Sequence, residues 1–215
     1  MHYNQGRFTG WIEVVCGPMF SGKTEELIRR LRLSRIAKQR VQIFKASLDD
    51  RYENDFIASH SKQKSECQTV NNPNEILDQL DDNTRVVGLD EAQFFNDEIV
   101  TVVQKLANRG LRVIVAGLDQ DYLGNPFGPM PELLAIADSI LKLKAVCMVC
   151  GGLATRSQRL TDEAGQVVVG SGERYEARCR ACFDPTLKFE KDKPKVPVSK
   201  KPVKTKNSEV DDIRF

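Results

Sequence analysis

The stretch Gly17-Pro18-Met19-Phe20-Ser21-Gly22-Lys23-Thr24 combines two glycines, a lysine and a hydroxyl at the spacing that cradles a polyphosphate. Gly17 and Gly22 let the backbone turn its N–H groups inward, and the helix that follows adds its positive end to the same anion. Lys23 can reach the terminal phosphates, and Thr24 can offer its hydroxyl to magnesium. These residue types point to binding of a nucleoside triphosphate.

A second group closes the apolar run Val86-Val87-Gly88-Leu89 with two carboxylates, Asp90 and Glu91. In open parallel sheets ligand groups gather at the carboxyl ends of the strands, so this end is expected to share a crevice with the glycine loop. Asp90 is placed to bind magnesium, directly or through water. Glu91 suits a proton acceptor, because phosphoryl transfer needs a nucleophile held in line and a carboxylate to orient and deprotonate it.

The third group is the two C-x-x-C pairs, Cys147/Cys150 and Cys179/Cys182, separated by residues 151–178. Two such pairs can bring four thiolates to the tetrahedral geometry of structural zinc; redox pairs or plain buried thiols are the alternatives, and the separation exceeds the usual ribbon spacing. Four cysteine ligands leave no open position, so such a zinc would be a scaffold. Cys16 and Cys67 stand outside these pairs, and Cys16 is expected to face the core beneath the glycine loop.

The elements that must position these groups alternate along the chain. Trp11–Cys16, Val41–Lys45, Arg85–Asp90, Leu111–Gly117 and Ile140–Val146 read as strands, whereas Glu25–Ile36, Asn74–Leu80, Asp97–Asn108 and Glu132–Ala137 carry helical spacing. Asn72 and Asn96 suit helix caps, Pro73 a helix start and Gly110 a helix end. This βα alternation predicts a parallel sheet covered by helices. Residues 46–71 show no strong period and are expected to form a mobile loop near the phosphates.

At 215 residues the chain has room for one main domain with a small appended module. No apolar run approaches membrane-spanning length, and Met1 to Arg7 lack a signal-peptide core, so a cytoplasmic protein is expected. The net charge of +2 hides an asymmetry: residues 186–215 carry nine Lys and Arg against five Asp and Glu, leaving 1–185 at −2. Nothing in that body suggests a large nucleic-acid surface, and no nucleic-acid partner is expected. The Lys- and Pro-rich end has the composition of a disordered tail.

Taken together, Gly17 to Thr24, Asp49-Asp50-Arg51-Tyr52, Asp90-Glu91-Ala92-Gln93-Phe94-Phe95, Gly117-Leu118-Asp119-Gln120-Asp121-Tyr122, Pro126-Phe127-Gly128 and the two cysteine pairs stand in an order that resembles the zinc-containing type II thymidine kinases. The resemblance covers about residues 10 to 184. It implies an α/β fold: a RecA-like P-loop parallel sheet with flanking helices at 10–146, a small zinc-binding lasso domain at 147–185, and the tail at 186–215. A homotetramer that phosphorylates the thymidine 5′-hydroxyl from ATP and magnesium is implied as well.

Carried over by resemblance, Glu91 looks like the general base, and Arg51 resembles the family's arginine near the transferred phosphate. Gly17, Pro18, Met19, Phe20, Ser21, Gly22, Lys23 and Thr24, with Asp49, Asp90, Glu91, Ala92 and Gln93, form the implied nucleotide and magnesium set. Met19, Phe94, Leu118 and Tyr122 look like walls of a thymine pocket, with Tyr175 also reaching the substrate. The lasso segment Gln166, Val167, Val168, Val169 and Gly170 would hold the base edge through main-chain groups. Flat aromatic faces suit a pyrimidine, and a snug apolar site admits its 5-methyl group.

The rival reading is a nucleic-acid-dependent P-loop ATPase with a zinc ribbon as its grip, since Asp90-Glu91-Ala92-Gln93 is similar to helicase-type ATPases, in which a glutamate activates water. The slightly acidic body and the shortness of the chain argue against it.

Overall fold

Runs rich in Val, Ile and Leu form the strands, and the chain between them coils into helices where apolar residues recur at helical spacing. The computed structural model describes residues 9–47, 56–58, 64–161 and 174–187. Its elements are β1 (Trp11–Cys16), α1 (Lys23–Ile36), β2 (Arg40–Ala46), β3 (Phe56–Ala58), β4 (Lys64–Glu66), β5 (Gln68–Val70) and α2 (Glu75–Asp78). Then come β6 (Thr84–Asp90), a 3-10 turn (Ala92–Phe94), α3 (Glu98–Asn108), β7 (Arg112–Gly117), α4 (Met130–Ile136) and β8 (Ser139–Lys142). Four short strands follow: β9 (Ala145–Val146), β10 (Leu153–Ala154), β11 (Arg156–Arg159) and β12 (Tyr175–Arg178).

Six strands make one sheet in the order β5-β2-β6-β7-β1-β8, and every pairing in it is parallel. This is the expected α/β architecture. Strand alternation sends Ile43, Val86, Ile114 and Ala116 to one face, where they pack on Leu27, Ile28 and Leu31 of α1. Phe44, Val87, Leu89, Val113 and Val115 go to the other face, against Ile76 of α2, Ile99, Val102, Val103 and Leu106 of α3, and Leu133 of α4. Gly88 sits where α1 presses closest, because a Cβ there would come within 2.9 Å of Leu31 Cδ1. Asp90, two residues on, points to the same face as α1, which is why it can meet the first turn of that helix.

Three sequence expectations change in detail. The helix expected over 74–80 is a single turn, because buried Gln42 on β2 intercepts the chain: its Nε2 donates to Gln79 O at 2.9 Å and its Oε1 accepts from Asp81 N at 2.8 Å. The strand expected over 140–146 breaks after Lys142, where Leu143 N–H turns back to Cys16 O at 2.8 Å and the chain leaves the sheet. The interval 46–71, expected as a loop, contains the β3–β4 hairpin and β5, which extends the main sheet; three-residue strands are too short to show a period. Gly110 does end α3, at φ 90, with Leu111 N–H returning to Leu106 O at 3.2 Å.

Beyond β8 the two remaining pairs, β9–β10 and β11–β12, are antiparallel and surround the cysteines. No helix among the described residues is long and apolar enough to cross a membrane.

Candidate active site

The glycine loop joins the end of β1 to the start of α1. Gly17 has φ 146 and no room for a side chain, since a Cβ would lie 2.5 Å from Leu143 O. Gly22 takes φ 86 and Phe20 takes φ 64, a left-handed conformation that few residues other than glycine adopt. Lys23 folds back over the loop, buried, with Nζ donating to Pro18 O at 2.9 Å, and Ser21 Oγ donates to the same carbonyl at 2.8 Å. Burial pushes the Lys23 ammonium below its ordinary value, opposed by the negative charges of Glu91, Asp90 and Asp119.

At the end of β6, Asp90 is 5% exposed and lies 3.3 Å from Thr24 Oγ1. Burial and the neighbouring Glu91 charge raise its carboxyl to about 7, against the pull of Glu91 N–H, Lys23 and Thr24. Two adjacent carboxylates, one of them buried, with a hydroxyl alongside make a donor set that suits magnesium, whose charge would relieve their repulsion. Glu91 itself adopts φ 51, so the chain turns sharply after the strand. A relay fixes it: Gln93 Nε2 donates to Glu91 Oε2 at 2.6 Å, while Gln93 Oε1 accepts from Leu118 N at 2.8 Å. Because a backbone N–H can only donate, the Gln93 amide has one orientation, with its NH₂ on Glu91.

Next to this relay lies an aromatic wall. Phe94 and half-buried Leu118 flank the relay, and Phe94 meets Phe127 edge to face with centroids 5.7 Å apart. Gly128 brings that turn against Gln93, whose carbonyl would stand 2.3 Å from an added Cβ. Tyr122 is covered by Arg159, with the guanidinium carbon 3.6 Å from the ring centroid, and Arg159 Nη2 donates to Tyr175 Oη at 3.1 Å. Tyr122 and Tyr175 therefore come together through an arginine.

Sequence reasoning missed this β11 connection. All four residues of β11, Arg156-Ser157-Gln158-Arg159, are polar and buried. Met19 N–H of the glycine loop donates to Ser157 Oγ at 3.0 Å, Arg156 Nη1 donates to Gln120 Oε1, and Gln158 exchanges two hydrogen bonds with the backbone of Asp184. A polar strand carries no hydrophobic alternation, so only the tertiary contacts reveal its role. Asp49 and Arg51, and the segment Gln166, Val167, Val168, Val169 and Gly170, lie outside the described residues.

The four cysteines of the two C-x-x-C pairs converge, with all their sulfurs within 4.8 Å of one another, a spacing that can hold a metal ion. Burial opposes ionisation of Cys147, yet the backbone N–H groups of Cys179, Cys150 and Val149 outweigh it and bring its thiol down to about 6. Amides aimed at sulfur are what a thiolate ligand needs. Cys16 and Cys67 are buried elsewhere, Cys16 under the loop as expected, with its thiol pushed up to about 11 by burial and Asp119.

Comparison with known proteins agrees with the geometry. A family profile described as thymidine kinase matches residues 10–183. A thymidine kinase of Rhodothermus sp. (strain ITI 518) is 56% identical over 180 residues, covering 84% of this chain and 84% of that protein. A thymidine kinase of Bdellovibrio bacteriovorus is 52% identical over 178 residues, covering 83% of this chain and 87% of the relative. With a glycine loop, a carboxylate-ended strand and a four-cysteine cluster within the matched span, the chain belongs to the thymidine kinase family.

Proposed function

We propose that this protein transfers the γ-phosphoryl group of ATP to the 5′-hydroxyl of thymidine. The observation that carries the reading is Asp90 and Glu91 at the end of β6, with Asp90 at the Thr24 hydroxyl and Glu91 pinned by Gln93 beside Phe94 and Leu118. A hydroxyl nucleophile needs a carboxylate next to both a phosphate cradle and a flat apolar wall, and this corner supplies all three.

Gly17 to Thr24 would hold the triphosphate, with Lys23 leaving Pro18 O for the terminal phosphates. Thr24 and Asp90, with Asp49, would hold magnesium, which neutralises charge on the phosphates when bound. Glu91 accepts the proton of the 5′-hydroxyl, and its Gln93 hydrogen bond keeps the carboxylate from swinging away. Arg51 would stabilise charge on the transferred group. Met19, Phe94, Leu118 and Tyr122 enclose the base, Tyr175 backs Tyr122 through Arg159, and residues 166–170 would close over it.

In this reading the cysteines bind one structural zinc that organises 147–185 beside the kinase body of 10–146. A cytoplasmic homotetramer completes the assignment by resemblance. Cys147→Ser should lose zinc and thymidine affinity together; a metal-free variant with normal thymidine binding would separate the two.

The test is transfer of labelled γ-phosphate from ATP to thymidine, deoxyuridine, deoxycytidine and purine deoxynucleosides, with single-stranded DNA and RNA as separate stimulants of hydrolysis. Label on thymidine is expected. Hydrolysis driven by nucleic acid, with no labelled nucleoside, would replace this reading with the zinc-ribbon ATPase.

A further inference from the structure

The strand that launches the glycine loop is gripped from both sides. Cys16, the last residue of β1, is in register with Gly117 at the end of β7 and with Lys142 at the end of β8. Two residues past Gly117 stands Asp119, whose side chain is 5% exposed, and Lys142 Nζ meets its carboxylate at 2.7 Å. The ion pair therefore spans the exit of β1, directly under the loop. Leu143, the next residue, holds the loop itself: its N–H bonds Cys16 O, and its carbonyl fills the space beside Gly17. Neither Asp119 nor Lys142 has a part in the chemistry above.

Their charges reach the site. Asp119 is among the carboxylates that act on Lys23, and Asp119, Lys142 and Lys23 all act on the Cys16 thiol between them. The pair is lopsided, because Lys142 is half in solvent whereas Asp119 is buried. A half-solvated ion pair adds little stability of its own. Removing one partner of a buried charge is different, because the other is left uncompensated. Here the charge left behind would be a carboxylate beneath a phosphate-binding loop.

We propose that Asp119 and Lys142 form a positioning pair for the nucleotide: Lys142 cancels a buried negative charge under the phosphate loop and so reserves Lys23 for the phosphates. The inference rests on the reading of Gly17 to Thr24 as the ATP site. Without Lys142, Asp119 draws on the Lys23 ammonium and repels the incoming triphosphate. Without both, the loop again faces neutral ground.

The experiment is calorimetric titration of magnesium-ATP into the wild-type protein and into Lys142→Met, Lys142→Arg, Asp119→Asn and the Asp119→Asn/Lys142→Met double variant, with thymidine KM, kcat and melting midpoint measured in parallel. Lys142→Met should weaken ATP binding about tenfold while leaving thymidine KM in place. Lys142→Arg should restore it, and the double variant should recover most of the loss. Asp119→Asn alone should hold ATP within about threefold of wild type, because the charge it removes opposes phosphate; this variant still decides the matter should Lys142→Met not fold. ATP affinity unchanged in Lys142→Met, a double variant no better than the single one, or a tenfold loss in Asp119→Asn would overturn the proposal. Failure of the wild-type protein to bind ATP would instead overturn the nucleotide reading beneath it.

Discussion

Two buried carboxylates on the same sheet face opposite circumstances. Glu13, near the start of β1, is 7% exposed and receives Trp11 Nε1 at 2.6 Å, Arg30 Nη1 at 2.5 Å and Arg112 Nε at 2.7 Å. Burial alone would raise its carboxyl, but the hydrogen bonds from Arg112, Trp11 and Arg30 outweigh it and hold it below the ordinary value. Asp90, at the end of β6, is as buried yet has a hydroxyl, its neighbour's N–H and a second carboxylate beside it, and is raised to about 7. At one end of the sheet the charge is answered by two arginines; at the other it is buried beside a second carboxylate, the kind of perturbed pair that gathers at functional sites.

The largest way to sharpen that contrast is Glu91→Gln. It should lower turnover by roughly 10²–10⁴-fold while ATP and thymidine still bind and the melting midpoint stays near wild type; near-normal turnover would remove Glu91 from the base role. Glu13→Gln should do the reverse, destabilising the fold by about 3 kcal/mol because Arg30 and Arg112 lose their shared counter-ion, with both KM values kept. Denaturant titration reads this directly, and an unchanged midpoint would erase the distinction between the two ends.

Asp90→Asn tests the sign of the other carboxylate. A raised folded-state value means that the wild-type aspartate contributes stability only at low pH and loses it as pH rises from about 4 to about 7. The asparagine variant should therefore melt above the wild-type protein at pH 8 without nucleotide, with the gap closing toward pH 4, although its turnover is lost. A variant less stable at pH 8 would show that Asp90 is answered by the fold after all. The smallest effect expected is from Tyr122→Phe, because Arg159 stacks on the ring rather than on the hydroxyl; thymidine KM should stay within about twofold.

Much of this was legible in the sequence because it follows from local patterns. β1 reads directly from Trp11–Cys16, and the phosphate loop, the acidic end of β6 and both cysteine pairs are short, spaced motifs. What escaped notice depends on partners distant in the chain. Gln42 cuts α2 short from β2, across 37 residues of chain, and nothing near Asn74–Leu80 announces it. Gln93 belongs to the nucleotide set by resemblance, but its part in holding Glu91 shows only once Leu118 N–H is placed on its other side. Arg156–Arg159 reads as loop by composition, yet it is a buried strand because Met19 and Gln120 of the body and Asp184 and Tyr175 farther along the chain supply its hydrogen-bond partners.

That strand also bears on the order in which the molecule is assembled. A parallel-sheet body and a cysteine-centred unit joined through Leu and Val would each expose an adhesive face until the other arrived. Here the joint is made of Ser157, Arg156 and Arg159, which meet Met19, Gln120 and Tyr122, and their polar groups are ones that water satisfies when the protein does not. The body can complete its own two-sided core before the cysteine-centred unit docks, because the face that waits for that unit is polar rather than apolar.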